Sequence, residues 1–233
     1  MRRRLGAFLL GSMLMLAFAA AVRAAETPKA TGIRYIYLIR HGMYEHERHV
    51  DDRVGNAMNA LGHEQAVLVG KRLAALPVKM TLFVSSDYTR ARETAEDMGK
   101  VLGMAPAQDS LLHECTPTTE RADIVQDYTA AEFAACDANL LAAWDKYVRP
   151  SPEKDAHDVL VCHGNVIRWF VSKAVKNDTR NWSTMDIGNA SVTVIAVRAD
   201  GTTRLVMYSD VGHLPPEKTT WTGRGAGWTT TAR

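Results

Sequence analysis

Short apolar runs alternate with stretches of helical spacing along most of this chain. Arg34–Arg40 (RYIYLIR) is a β-rich apolar run. Gly62–Leu76 places Ala66, Val69, Leu73 and Leu76 three or four residues apart, which predicts an amphipathic helix. Thr81–Ser85 (TLFVS) predicts a short strand, and Tyr88–Leu102 a second helix that Gly103 would close in the left-handed conformation. Asp158–Cys162 (DVLVC) predicts a third strand, followed by a helix from about Val166 to Val175. Ala190–Val197 and Arg204–Tyr208 flank the turn-forming pair Asp200-Gly201 and predict a hairpin.

Strands that alternate with helices predict an α/β fold: a doubly wound, mostly parallel sheet with flanking helices. The Ala-rich stretch from Ala122 to Val148 interrupts the alternation and is expected to be a short helical cap insertion, about 120–148. On it, Phe133, Trp144 and Tyr147 are expected to form a packing face. The tail from about Gly212, which carries Trp221 and Trp228, is rich in Pro, Gly and Thr; it is expected to be irregular and its last residues mobile. No linker divides residues 25–233, which read as a single domain.

The N-terminus has a different pattern. Met1–Arg4 (MRRR) is basic, Ala7–Val22 is apolar, and Val22-Arg23-Ala24 places small residues at −3 and −1 of a cleavage point after Ala24. Residues 1–24 are therefore expected to be a signal peptide, which would leave an exported, periplasmic or secreted protein without a stable membrane anchor. The formal charge of +2 becomes −2 without Arg2, Arg3, Arg4 and Arg23, so no surface for nucleic acid is expected. Of the three cysteines, Cys162 ends an apolar run and is expected to be a buried thiol. Cys115 and Cys136 are the one pair that an oxidising compartment would allow to be considered.

Three polar clusters fall at predicted strand ends: Arg40-His41-Gly42, Ser85-Ser86 leading to Arg90, and His163-Gly164-Asn165. Carboxyl ends of parallel strands form the ligand crevice of such sheets. Two guanidiniums can grip an oxyanion bidentately, and two imidazoles add charge or a nucleophile. Gly164 and Asn165 would open a helix whose free N–H groups face the anion. His41, Glu45, His46 and His49 crowd together, yet a nucleophilic His41 cannot also be a ligand. No metal and no cofactor is expected.

These residues identify a resemblance. Leu38-Ile39-Arg40-His41-Gly42 resembles the Arg-His-Gly signature of the histidine phosphatase superfamily, the phosphoglycerate-mutase-like fold. Leu61–Ala66, Ser85–Ala95, Leu112-His113-Glu114 and Val161–Asn165 resemble its further motifs in the same order. His163–Trp169, Asn189–Thr193 and His213–Lys218 are similar to its mitochondrial protein-phosphatase branch, which acts on phosphoserine, phosphothreonine and phosphohistidine proteins.

The resemblance implies roles. His41 would attack phosphorus and carry a phosphohistidine, while Arg40, Arg90 and His163 would hold the phosphoryl oxygens. Glu114 would protonate the leaving oxygen. A backbone carbonyl on one nitrogen of His41 would fix its tautomer. Burial would raise the pKa of Glu114 and the arginines would lower it, a balance the sequence leaves open. Met43 replaces the polar residue that follows this signature in many members, so the contact there is altered or absent. Glu120 is the alternative acid. Arg92 is expected to be a solvated helix residue; His213 either lines the pocket or packs on the hairpin. The function implied is hydrolysis of a phosphorylated small molecule, phosphosugar or phosphoprotein. The alternatives are an inactive phosphate-binding relative and a phosphoglycerate-type mutase.

Overall fold

The computed structural model describes residues 31–221, so the leader reading of residues 1–24, Trp228 and the last residues of the tail lie outside it. The chain runs β1 (Arg34–Arg40), α1 (Ala60–Ala74), β2 (Leu82–Ser85), α2 (Thr89–Leu102), β3 (Ala107–Gln108), α3 (Ala122–Val125), α4 (Ala130–Tyr147), β4 (Ala156–Cys162), α5 (Gly164–Ala174), β5 (Val192–Val197) and β6 (Thr203–Asp210). The strands form one sheet in the order β3-β2-β4-β1-β5-β6. Pairing is parallel among β1, β2, β3 and β4, whereas β5 and β6 add antiparallel to the β1 edge. The hairpin closes at Asp200-Gly201, with Gly201 at φ 82.

Side chains alternate across the sheet and divide the core into two layers. Ile36, Leu38, Leu160, Cys162, Ile195 and Val197 pack with Cys136 and Leu140 of α4 and Val166, Ile167 and Phe170 of α5. Tyr37, Ile39, Val159, Val161, Val192 and Val194 pack with Val69 and Leu73 of α1 and Ala91, Ala95 and Met98 of α2. Helices therefore cover both faces, as a doubly wound sheet requires. Phe170 is fully buried; its truncation to alanine is expected to cost about 3–5 kcal/mol.

Local signals set the ends of the helices. Asn59 caps α1 by accepting from Gly62 N at 3.0 Å, so the helix starts ahead of the apolar spacing. Gly103 ends α2 at φ 64, as expected. The insertion is two helices rather than one, because Thr129 and Glu132 form a capping box that starts α4 afresh. Trp144 packs edge-on against Phe170, and Phe133 and Tyr147 are buried, so the expected packing face forms. Between Gly212 and Trp221 the chain turns irregularly, and Trp221 pairs with Gly188 through one antiparallel bridge.

Candidate active site

The register brings three strand ends level. Arg40 lies opposite Cys162 and Ser85 opposite Val161. The ladder runs on for one more residue, as His41 N donates to Cys162 O at 3.0 Å and Ser86 N to Val161 O at 2.9 Å. The residues that leave these strands, His41, Ser86 and His163, meet at the carboxyl edge of the sheet. The rings of His41 and His163 are 5.2 Å apart, and His163 Nε2 lies 2.9 Å from Ser86 Oγ. His163 also caps α5, whose first residues are Gly164 and Asn165.

His41 is buried and its tautomer is determined. Gly42 O lies 2.8 Å from His41 Nδ1. A carbonyl only accepts, so Nδ1 carries the proton and Nε2 keeps its lone pair. Arg90 Nε donates to that Nε2 at 3.3 Å. Burial first, then the charges of Arg90 and Arg40, hold the pKa of His41 well below 6.5.

The loop that carries His41 is held from behind. Gly42 N donates to Thr94 Oγ1 at 2.9 Å and Met43 N to Gln65 Oε1 at 2.8 Å. Gln65 Nε2 donates to Thr220 Oγ1, Thr220 Oγ1 to Asn189 Oδ1, and Asn189 Nδ2 to His41 O. Gly42 and Gly62 permit the close approach: a Cβ on Gly62 would lie 2.1 Å from Met43 O, and one on Gly42 would lie 2.5 Å from Gly62 O. Next to the altered position, Tyr44 stands edge-on to His41 at 5.2 Å and under the Arg90 guanidinium at 4.7 Å.

Arg40 and Arg90 are both buried. Arg40 donates to Ile187 O at 2.7 Å, while its Nε has no hydrogen-bond partner among the described residues. Burial pushes its pKa down to about 10, so it remains a cation at neutral pH. Arg90 pairs with Asp52. A buried cation with an unused donor suits an anion with several oxygens.

Glu114 approaches from a different part of the chain. Its Oε1 accepts from Asn165 N at 3.2 Å, and Asn165 Nδ2 binds Cys115 O at 2.9 Å. Burial outweighs Arg90, Arg168 and Arg40 and raises its pKa above 4.5, which settles the balance that the sequence left open. Cys115 is bonded to Cys136 of α4, with Cα atoms 5.7 Å apart, and Cys162 is the buried free thiol. A cavity of about 480 Å³ adjoins Glu114, lined among others by Asp52, Tyr88, His113, Tyr128 and Asn139.

Glu120, the alternative acid, pairs with Arg180 on the surface with 76% of its side chain exposed. His213 packs on the hairpin side, 3.1 Å from Arg72, which pairs with Asp210, and lies against the backbone of Ala190, whose N–H donates to His41 O. Arg92 binds Asp87 O and Arg53 O rather than the cluster. Among the described residues no group of His, Cys, Asp and Glu could hold a metal ion, and Glu45, His46 and His49 are exposed. Sequence reasoning missed Tyr44, Asp52, Thr94 and Arg168 as site residues. Thr94 and Arg168 stood inside matched motifs, whereas Asp52 carried no signal.

The comparisons with known proteins agree with this geometry. The profile of the histidine phosphatase superfamily (branch 1) matches residues 36–210. The chain is 36% identical over 207 residues to the mitochondrial serine/threonine-protein phosphatase Pgam5 of Caenorhabditis briggsae, covering 84% of this chain and 70% of that protein. It is 33% identical over 199 residues to the Homo sapiens protein of the same name, with 82% and 68% covered. Among solved structures, Bacillus stearothermophilus YhfR aligns with a TM-score of 0.62 at 23% identity, over 77% of this chain and 98% of that one. The phosphoglycerate mutase of Plasmodium falciparum aligns at 0.56 and 24% identity, over 79% and 96%. At these identities the two structures speak for the fold.

Proposed function

Because this chain belongs to the histidine phosphatase superfamily and is a phosphoric monoester hydrolase, we propose that it works in two steps through a phosphohistidine on His41. The observation that carries this reading is the Gly42 carbonyl on His41 Nδ1, which leaves Nε2 as the nucleophile. In the first step Nε2 bonds to phosphorus, the P–O ester bond breaks, and Glu114 gives its proton to the leaving oxygen. In the second, water bonds to phosphorus, its proton goes to the Glu114 carboxylate, and the N–P bond breaks to release phosphate. Arg40, Arg90 and His163 hold the phosphoryl oxygens, with the first N–H group of α5 at Gly164, while the Asn165 N–H is taken by Glu114 Oε1 instead of the phosphoryl group. Phosphoryl transfer passes through a loose transition state that needs charge and position more than covalent help. A cationic cradle with a neutral imidazole supplies both.

The two pKa directions fit these roles. The reaction needs neutral His41 and protonated Glu114. A lowered imidazole and a raised carboxyl let both forms coexist. The leaving group, from a small phosphate ester, a phosphosugar or a phosphoprotein side chain, would occupy the cavity beside Glu114. Export is also part of this reading: the basic and apolar leader pattern and the Cys115–Cys136 disulfide support an oxidising compartment. The curated relatives are named as mitochondrial.

Hydrolysis of p-nitrophenyl phosphate by the purified protein in EDTA, beside His41→Ala, tests the mechanism. Activity that survives EDTA and disappears with His41 is expected. Equal activity in His41→Ala would overturn it. Turnover without transfer to a phosphoglycerate would exclude a mutase.

A further inference from the structure

Arg168 lies on α5, one turn beyond the start of the helix, and the mechanism above gives it no role. Each of its three side-chain nitrogens nevertheless makes a hydrogen bond. Nε donates to Gly164 O at 3.2 Å, Nη1 to Met185 O at 3.1 Å, and Nη2 to the side-chain oxygen of Asn165. The guanidinium stands 4.7 Å from the Trp182 ring. One planar cation therefore ties the first turn of α5 to the segment at 182–185 and fixes the rotamer of Asn165. Asn165 in turn grips the acid's peptide at two points, Glu114 Oε1 through its backbone N–H and Cys115 O through its side-chain amide. With Oδ1 held by Arg168, the amide NH2 of Asn165 must face Cys115 O.

We propose that Arg168 is the positioning residue of the leaving-group acid: through Asn165 it holds the Glu114 carboxyl where the departing oxygen needs its proton. Arg168 itself touches no reacting atom in this scheme. The inference rests on Glu114 being the acid.

The charges that face Glu114 are Arg40 from β1, Arg90 from α2 and Arg168 from α5, with the Cys162 thiol of β4 nearby. Arg168 itself faces Glu114, Tyr208, Asp186 and Arg121. Removal of the Arg168 charge therefore takes away one of three cations that favour the Glu114 carboxylate. The alkaline limb, where Glu114 loses its proton, should move to higher pH. A lysine keeps the charge but not the three-way fork.

The test uses the leaving group. An alkyl phosphate needs the acid, whereas p-nitrophenyl phosphate leaves with little help. Glu114→Gln, Arg168→Gln and Arg168→Lys are assayed on both substrates across pH, with Tm recorded for each. Expected for Arg168→Gln is a tenfold or greater loss in kcat on the alkyl ester, roughly a threefold loss on the aryl ester, little change in KM and an alkaline limb displaced upward. Arg168→Lys should lose alkyl turnover with the limb unmoved. Equal losses on both substrates for Arg168→Gln, with Glu114→Gln still selective for the alkyl ester, would overturn the role of Arg168. Equal losses for Glu114→Gln would instead overturn Glu114 as the acid. If Arg168→Gln does not fold, Arg168→Lys carries the test through the same alkyl-to-aryl ratio.

Discussion

The floor beneath His41 and the flank that carries Glu114 are built by different means. The floor is made of consecutive strand-end residues, and its backbone groups are bound into the sheet or by Thr94, Gln65 and Asn189. Its geometry follows from the register of three parallel strands. The Glu114 flank lies outside regular structure, after a short 3-10 turn at Ser110–Leu112. It is held by a disulfide to α4 and by two hydrogen bonds from Asn165. In the proposed mechanism, the sheet would fix where phosphorus is attacked and long-range ties where the proton is delivered. The first half should tolerate change poorly in all reactions, and the second should be felt only when the leaving group needs a proton.

The largest effect should come from the floor. His41→Ala is expected to lower kcat on the order of 10⁴-fold or more with every ester, measured by steady-state kinetics. Arg90→Ala removes a cation from the same place and should cost about 10²–10³-fold, again irrespective of leaving group. Dependence on the leaving group in either variant would break the division between the two regions.

Breaking the disulfide comes next. Cys115→Ser with Cys136→Ser should lower stability by about 3 kcal/mol, seen as a lower denaturation midpoint. It should also depress alkyl-phosphate turnover more than aryl-phosphate turnover. A loss of stability with no such selectivity would make the tie to α4 purely structural.

The pH profile sharpens the comparison further. In the proposed mechanism His41 attacks as the neutral imidazole, and its pKa is lowered, so the acid limb of kcat/KM should lie well below pH 6.5. In the same mechanism Glu114 is the acid, and its pKa is raised, so the alkaline limb should lie above 4.5. The alkaline limb should be prominent with an alkyl ester and weak with an aryl ester. The smallest effect is expected from Thr94→Val, which leaves Gly42 N without its acceptor. It should cost about 1–3 kcal/mol in stability, with the alkyl-to-aryl ratio unchanged.

The same division governed what the sequence could reveal. Arg40, His41, Arg90 and His163 were legible because each sits at or just after an element whose periodicity is local. Position alone then places them at one edge of a parallel sheet. The flank was harder to read. Glu114 stood on a motif match without a strand or helix to locate it, and Glu120 was an open alternative until the structure showed it at the surface. β3 has two residues, too few to show a period. The insertion is Ala-rich throughout, and composition does not show the break that the Thr129–Glu132 cap makes between α3 and α4. Asp52 reaches Arg90 across 38 residues, and Arg168 contacts Trp182 and Met185, so neither contact leaves a local mark in the sequence.

In the proposed mechanism phosphorus passes through His41 Nε2. Rapid acid-free quenching during turnover of a phosphate ester, followed by mass analysis of the peptide that contains His41, tests it directly. One phosphoryl group on His41, labile to acid and absent in His41→Ala, is expected. Turnover at the wild-type rate with no phosphoryl group on His41 at any time, or with the group on another side chain, would contradict it.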